Sequence, residues 1–421
     1  MISRISWAIK ALVAYIAIFT YLYPVALKIL PVDTGVILHL FGFIYFVLYR
    51  SFRLDHTFLY VFAFTILLVL CDVFTTTLNN SYDFSVLKKN IASILYVFSA
   101  IMVVDLIKAT CRRSSYSVYT ILDWIIYAAI GQAIISFLLF FSPDLMDIYK
   151  SLATLNEASE SILEITAEYR LIAVSKTQYA NMAVMYGFAL LFSICAIRFH
   201  KSNTYKKKVI YYISIILICF AGILSARTFF LILLLSYCYL IYLHYKRSGL
   251  KSVIYMNVAL AGIVSLIILC TIPLSDSEYA NTFNWAFEWY NNLSETGELR
   301  TASSDTLSTM YIFPNSIKTW LFGDGKFSLP NGSFYMHTDV GYLRNLFYGG
   351  ILGTLLCYLI QYLYRRQICS ICPYPAVRHL CNIIFIWVII YNFKEYWVAN
   401  LYWILLLAAV VKEKKLIMSH S

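Results

Sequence analysis

The 421-residue chain is 61% hydrophobic and only 13% charged, with a net charge of +11 and a mean hydropathy of +0.72. A soluble domain carries about 45–50% apolar and about 25% charged residues, so this composition excludes a water-soluble globular protein, a disordered chain and a coiled coil. The apolar residues form long runs, and not the alternating segments of about ten residues that an outer-membrane barrel requires. The sequence therefore predicts an all-α polytopic membrane protein.

Polar breaks divide the apolar sequence into about twelve predicted membrane spans. In chain order they are 7–30, 34–49, 56–74, 90–108, 118–141, 171–197, 208–224, 228–243, 253–272, 342–363, 379–393 and 396–411. Several are shorter than the roughly 20 residues of a straight span. The alternative for residues 208–243 is one broken hairpin that turns at Ser225-Ala226-Arg227. We expect the whole chain, 1–421, to form a single integral membrane domain.

The distribution of lysine and arginine predicts the orientation of these spans. With the N-terminus inside, 21 of the 33 lysines and arginines fall on the cytoplasmic side, as the positive-inside rule requires. Both termini are then cytoplasmic. Two long loops are external, 142–170 and 273–341, and the larger one lies between the ninth and tenth spans. Cytoplasmic loops account for the basic net charge, so nucleic acid is not an expected partner.

Both external loops contain local signals. The acidic loop 142–170 predicts a short amphipathic helix, with a solvated connector as the alternative. Residues 282–293 are rich in Trp, Phe and Tyr at helical spacing, which favours a helix at the membrane interface. Residues 326–337 predict a hairpin around Asn331-Gly332. Loops of this length are usually functional.

Four arginines lie on the predicted external side: Arg170, Arg227, Arg300 and Arg344. Arg227 stands between two apolar runs without a carboxylate beside it in sequence, and a cation at that depth generally has a partner. Guanidinium groups stay charged and bind phosphate oxygens through two parallel hydrogen bonds. We interpret the four arginines as a diphosphate- or polyanion-binding site. Alternatively, Arg227 snorkels to the interface and Arg300 pairs with Glu295 or Glu298.

His337-Thr338-Asp339 lies directly before the tenth predicted span. His337 and Asp339 are two residues apart, so their side chains can share one face of an extended segment. Either group can act as a general base for a hydroxyl, and we favour His337. The alternative is that His337 only caps the span while Asp339 pairs with Arg344.

A family resemblance is carried by the stretch from LFGDG (321–325) to HTDVGYLRNLFYGGILG (337–353), preceded by ILSARTFF (223–230) and Arg300. This pattern resembles the O-antigen polymerase (Wzy) and O-antigen ligase (WaaL) superfamily, which are bacterial inner-membrane glycosyltransferases of the C-type architecture. The layout is similar along nearly the whole chain, whereas the motifs cover only 220–230 and 300–353. Thr338 and the late position of Gly350-Ile-Leu-Gly353 depart from the ligase signature, so the polymerases are the nearer resemblance.

The resemblance implies a substrate, a reaction and partners. The substrate would be an undecaprenyl diphosphate that carries an oligosaccharide repeat unit at the periplasmic face. A hydroxyl of the incoming unit would attack the reducing-end anomeric carbon of the growing chain, and polyprenyl diphosphate would leave. No metal, nucleotide sugar or other cofactor is expected, because arginines can neutralise the leaving diphosphate. A chain-length regulator of the Wzz kind is a candidate membrane partner.

Two other functions remain open at this point. A ligase would use the same donor but transfer the glycan to lipid A-core. A flippase or transporter of lipid-linked oligosaccharides belongs to a different class and would favour a charged central cavity and repeated halves. The sequence shows no internal repeat and places its polar residues at the outer loops and span ends, which favours the polymerase.

Overall fold

The computed structural model describes residues 2–50, 55–111, 116–154, 166, 169–176, 178–199, 204–243, 245, 249 and 280–418. Over these residues the secondary structure is helical, and its only β features are two isolated bridges. Seven described helices are long and apolar enough to cross a membrane, and three further apolar helices are shorter. The chain is therefore a polytopic helical membrane protein, which confirms the predicted class.

The described helices are, in chain order, α1 (Ile2–Leu22), α2 (Thr34–Arg50), α3 (His56–Leu78), α4 (Ser85–Thr110), α5 (Val118–Phe141), α6 (Pro143–Leu152), α7 (Tyr179–Phe199), α8 (Tyr205–Ser225), α9 (Phe229–Leu243), α10 (Ala280–Ala286), α11 (Glu288–Thr296), α12 (Ala302–Thr309), α13 (Ile317–Phe322), α14 (Gly341–Ile371), α15 (Pro375–Tyr391) and α16 (Asn400–Met418). Each predicted span except the ninth corresponds to one of these helices. The ninth, 253–272, lies outside the described residues, so the total of twelve stays a prediction.

Several predicted local features are present. The helical prediction for 282–293 is confirmed, although Phe287 divides the segment into α10 and α11. The chain reverses at Asn331-Gly332, where the Leu329 N–H donates to the Ser333 carbonyl at 2.8 Å. In the acidic loop, α6 occupies 143–152, while most of the predicted amphipathic stretch lies outside the described residues.

The chain falls into two compact units. The first unit comprises 1–128, 152–160 and 306–421, and the second comprises 129–151 and 161–305. In the first unit α4 is central and packs against α1, α2, α3 and α16, while α14 packs against α3, α13, α15 and α16. In the second unit α7 is buried without interruption from Met182 to Ala196 and packs against α8. An apolar helix that is buried on all sides is expected at the centre of such a unit.

Helix α14 is broken at Gly350, where φ is +64° and ψ is −166°. A break of this kind releases backbone carbonyls of the preceding turn, which then need other donors. The segment after α13 supplies them, because the Asp324 N–H donates to the Phe347 carbonyl at 2.6 Å and the Gly325 N–H to the Tyr348 carbonyl at 3.0 Å. The LFGDG sequence thus has a structural role: it completes the hydrogen bonding of a broken span.

Two neighbouring glycines allow this break to be tested. A Cβ atom at Gly350 would lie 2.3 Å from the Leu321 carbonyl carbon, whereas a Cβ at Gly349 meets no atom within 4 Å. Since a left-handed backbone at a non-glycine residue costs on the order of 1–3 kcal/mol, Gly350→Ala should lower the thermal unfolding midpoint of the detergent-purified protein. Gly349→Ala is the matched control and should unfold near the wild-type midpoint. Equal midpoints for the two variants would contradict the observed break.

Candidate functional site

The second unit brings two of the predicted arginines to one tryptophan. The Cζ atoms of Arg170 and Arg227 lie 4.4 and 5.3 Å from the centroid of the Trp285 ring. We call these three residues the arginine–tryptophan cluster. Since both Cζ atoms are so close to one ring, they are separated by no more than about 10 Å. Arginine over an aromatic face is a favourable contact, but two neighbouring cations also repel each other.

Local structure fixes each member of the cluster. Helix α8 ends at Ser225, and Arg227 occupies the tight turn before α9. The residue after Arg170 is tied to the end of α8, because the Leu171 N–H donates to the Leu224 carbonyl at 3.0 Å. Trp285 lies on α10. The two arginines are therefore held by backbone contacts that do not depend on their side chains.

Arg227 has an anionic partner, as expected for a cation that lies between two apolar runs. Its guanidinium forms an ion pair with Glu288 of α11 and donates a hydrogen bond of 2.8 Å to the Ser303 hydroxyl. The second oxygen of Glu288 accepts from the Ala302 N–H at 2.7 Å. Glu288 therefore joins the arginine to the segment that begins α12.

Arg170 differs from Arg227 because it forms no ion pair within the described part of the chain. Its side chain is half-buried between aromatic rings, and its Nε has no hydrogen-bond acceptor among the described residues. Burial lowers the pKa of Arg170, and the nearby charge of Arg227 acts in the same direction. Guanidinium nevertheless stays charged, so Arg170 is a cation without an anion among the residues that the structure describes.

Other polar atoms on the same segments also lack partners. The Trp289 Nε1 and the hydroxyls of Thr228 and Thr282 are buried and make no hydrogen bond to any described residue. Thr228 adjoins Arg227, and Thr282 shares α10 with Trp285. Buried donors without acceptors are rare in folded proteins and deserve an explanation such as a bound ligand.

Arg300 lies on the surface of the second unit, where its side chain is in contact with solvent. Its guanidinium pairs with Glu298 at 3.0 Å and with Asp305 at 3.2 Å, and its side chain is 61% exposed. These two carboxylates raise the pKa of Arg300. The pairing with Glu298 was one of the structural alternatives considered from the sequence. Arg300, like Arg227, thus already has a carboxylate partner.

Arg344 belongs to the first unit and lies in the first turn of α14. Its side chain is 5% exposed and lies between two rings, with Cζ at 3.5 Å from the Phe334 centroid and 4.0 Å from that of Phe327. Its Nε is buried and has no acceptor among the described residues. A desolvated cation normally has an ionic or hydrogen-bonded partner. Arg344 therefore resembles Arg170, because the Nε of each lacks an acceptor among the described residues.

The rings around Arg344 come from residues 323–337, which we call the strap. Asp83, in the loop between α3 and α4, accepts the backbone N–H groups of Phe327 at 2.6 Å and Ser328 at 2.7 Å. The Ser81 hydroxyl donates to the Gly325 carbonyl at 2.6 Å. Burial alone would raise the pKa of Asp83, but hydrogen bonds from Ser85 and from the strap hold it below its ordinary value. The strap is therefore anchored at a point distant in sequence.

The two candidate bases lie in different surroundings. His337 is exposed at the end of a 3₁₀ turn, with a left-handed φ of +51°, and its ring makes no hydrogen bond to any described residue. Asp339 is half-buried, and its carboxylate also has no hydrogen bond to the described chain. Burial raises the pKa of Asp339, although the charges of Arg344 and Lys394 act in the opposite direction. No ion pair joins Asp339 to Arg344 in the described structure.

The structure thus groups the predicted residues by unit. Arg170 and Arg227 meet in the second unit, where Arg300 is exposed, and Asp339 and Arg344 are electrostatic neighbours in the first. Sequence reasoning missed Glu288, Trp285 and Asp83. Only Trp285 had a signal, as part of the aromatic 282–293 segment, because the partners of Glu288 and Asp83 are remote in sequence.

Comparisons of the chain with protein-family models, with curated proteins and with solved structures found no match.

The two carboxylate-paired arginines should differ in their contributions to stability. Arg227→Met leaves Glu288 without its cation, and the Glu288 side chain is only 26% exposed. This substitution should lower the free energy of unfolding by about 1–3 kcal/mol. Arg300→Met removes an exposed pair, so its thermal unfolding midpoint should match the wild type. Adding Glu288→Gln to Arg227→Met should recover part of the loss, because both members of the pair are then neutral. An equal loss in the two single variants would contradict the different burial of these arginines.

Proposed function

We propose that this protein polymerises undecaprenyl-diphosphate-linked oligosaccharide repeat units into O-antigen or a related surface polysaccharide. The observation that carries the proposal is the arginine–tryptophan cluster, in which Arg170 has no anion among the described residues and adjoins a second guanidinium. Two cations at one ring, beside buried donors that have no acceptor in the described part of the chain, are suited to a ligand with several negative oxygens. A diphosphate has this chemistry, and guanidinium binds it through paired hydrogen bonds.

The reaction joins the two substrates without a change of oxidation state. The acceptor hydroxyl oxygen forms a bond to the anomeric carbon of the donor, and the bond from that carbon to the diphosphate oxygen breaks. The electron pair leaves with the diphosphate, where guanidinium groups stabilise the developing charge. The hydroxyl proton passes to a general base of the protein.

We assign the base to Asp339 and keep His337 as the second candidate. The Asp339 carboxylate makes no hydrogen bond to the described chain, so it is available to a substrate hydroxyl. Burial raises its pKa towards the working range of a base. The family resemblance favours His337 as the base, but His337 is exposed, so water has more access to it than to Asp339.

The proposal includes a location. We place the enzyme in the bacterial inner membrane with both termini in the cytoplasm and the 142–170 and 273–341 loops in the periplasm. The excess of lysine and arginine in the predicted cytoplasmic loops supports this orientation. As the resemblance implies, the enzyme is proposed to work without a metal or nucleotide cofactor, alongside a Wzz-like regulator.

A deletion strain separates the polymerase from its alternatives. Loss of a polymerase leaves lipopolysaccharide that carries a single repeat unit on its core, whereas loss of a ligase leaves core without O-antigen. Loss of a flippase leaves the repeat unit facing the cytoplasm. In a strain whose cell-surface glycan is a capsule, the same experiment is scored by capsule chain length. A result of either alternative type would overturn the proposed function.

The arginines should differ in their effect on chain extension. Arg170→Ala and Arg344→Ala each remove a cation that has no carboxylate partner in the described structure, and the loss of two charge-assisted hydrogen bonds to the substrate should reduce extension by at least about 100-fold. Lysine at these positions should restore little, because the planar fork is lost. Arg300→Ala should have a smaller effect, since Arg300 is already paired. The measurement is gel banding of the glycan, with blots for protein level. Normal chain length in both lysine variants would show that Arg170 and Arg344 do not make the proposed contacts to the diphosphate.

The pH dependence of polymerisation distinguishes the two candidate bases. If Asp339 is the base, its unprotonated form is lost as the pH falls through its raised pKa. The apparent pKa of the acid limb in the pH profile of kcat/KM should then lie above the ordinary aspartate value of about 3.9. Asp339→Asn should abolish the activity and, with it, this acid limb. His337→Ala should keep that limb.

The opposite result would reassign the base. If His337→Ala loses roughly 10²–10⁴ in rate while Asp339→Asn retains the wild-type profile, His337 is the base. Protein level and thermal unfolding midpoint serve as controls in both variants.

A further inference from the structure

Two cysteines meet in the helical hairpin formed by α14 and α15. These helices pack against each other, and only residues 372–374 connect them. The Cys369 Sγ lies 3.8 Å from the Arg378 carbonyl oxygen. Cys381 follows Arg378 by three residues, so it shares a face of α15 with it, and its side chain leans back over the turn that holds this carbonyl. The two thiols are therefore neighbours, and the Cys381 thiol hydrogen-bonds to the Cys369 sulfur.

The two thiols differ in access and in surroundings. Cys381 is fully buried, whereas Cys369 is partly exposed. The guanidinium groups of Arg365 and Arg378 act electrostatically on Cys369, and Arg365 is held in place because its Nε donates to the Asn382 side-chain oxygen at 2.7 Å. Neighbouring cations favour the thiolate, which is the form of cysteine that attacks oxidants. Cys369 therefore has the surroundings of a reactive thiol, and Cys381 lies behind it.

The sequence alone would pair Cys369 with a different cysteine. Cys369 and Cys372 have the CxxC spacing of many redox-active thiols. In the structure, however, Cys372 ends α14 and its Sγ contacts the Tyr374 carbonyl oxygen at 3.9 Å. Burial raises the pKa of Cys372 to about 11, so its thiol stays protonated at neutral pH. The thiol that hydrogen-bonds to Cys369 across the hairpin is that of Cys381.

We propose that Cys369 and Cys381 are a peroxide-sensitive thiol pair that closes to a disulfide between α14 and α15. The Cys369 thiolate attacks one oxygen of hydrogen peroxide, the O–O bond breaks, and a sulfenic acid and hydroxide form; the hydroxide takes up a proton to become water. The Cys381 sulfur then attacks the Cys369 sulfur, and the sulfenic oxygen leaves with the thiol proton as a second water. Two thiols are oxidised to one disulfide, and one peroxide is reduced to two waters.

The buried partner gives this oxidation a reversible end point. A sulfenic acid without a neighbouring thiol is open to further oxidation to the sulfinic acid, which is generally irreversible. A thiol already in contact converts it to a disulfide in an intramolecular step. In the proposed orientation the connection between α14 and α15 faces the cytoplasm, where thiol reductants return such a disulfide to two thiols. The chemistry itself does not depend on the proposed function.

Tryptic digestion distinguishes the two disulfides that Cys369 could form. Cleavage after arginine and lysine yields the peptide 367–378, which contains Cys369 and Cys372, and the peptide 379–394, which contains Cys381. The full chain in nanodiscs is treated with hydrogen peroxide, its remaining thiols are alkylated, and the digest is analysed by mass spectrometry without reduction. A disulfide between α14 and α15 joins the two peptides, and dithiothreitol separates them again.

We expect peroxide to produce the joined peptides in the wild type. Cys372→Ser is the matched control, and its yield of joined peptides should stay within about twofold of the wild type, because Cys372 takes no part in the reaction. A disulfide inside 367–378, or alkylation of Cys369 and Cys381 that peroxide does not reduce, would overturn the proposal.

A second measurement tests the order of the two steps. In Cys381→Ser the sulfenic acid on Cys369 has no thiol to react with, so trapping by dimedone should rise by about 10-fold or more over the wild type. Equal trapping in the two proteins would show that Cys381 does not resolve the sulfenic acid. Thermal unfolding midpoints of the reduced proteins serve as the folding control. If the buried serine hydroxyl lowers the midpoint, Cys381→Ala replaces this variant, because alanine brings no polar group into the hairpin.

Discussion

A guanidinium group removed from water must be given acceptors, an anion or an aromatic face, and this requirement organises the polar part of the protein. Arg227 meets it with Glu288 and Ser303, Arg300 by staying at the surface, and Arg344 with two phenylalanine rings. Arg170 has rings but no anion in the described chain. An aromatic face compensates only part of the lost hydration of a cation. A phosphate-bearing ligand can compensate the rest of the lost hydration at Arg170 and Arg344.

The environment of Arg344 depends on a second constraint, the break in α14. A broken span exposes backbone carbonyls that must find donors inside an apolar protein, and the segment at 324–325 supplies them. That requirement brings the strap onto α14, and Asp83 and Ser81 then fix its position. Phe327 and Phe334 reach Arg344 as a consequence. The same residues that satisfy the backbone of α14 therefore shape the surroundings of the buried cation.

Much of this architecture could be predicted from local sequence, whereas the partners could not. Hydropathy gave the helical membrane class, Asn331-Gly332 gave the chain reversal, and the depth of Arg227 required a partner. The identity of that partner, Glu288, could not be inferred, because it lies 61 residues away in sequence. Asp83 and Phe327 are 244 residues apart. Such pairings arise from helix packing, and neither periodicity nor charge patterning encodes them.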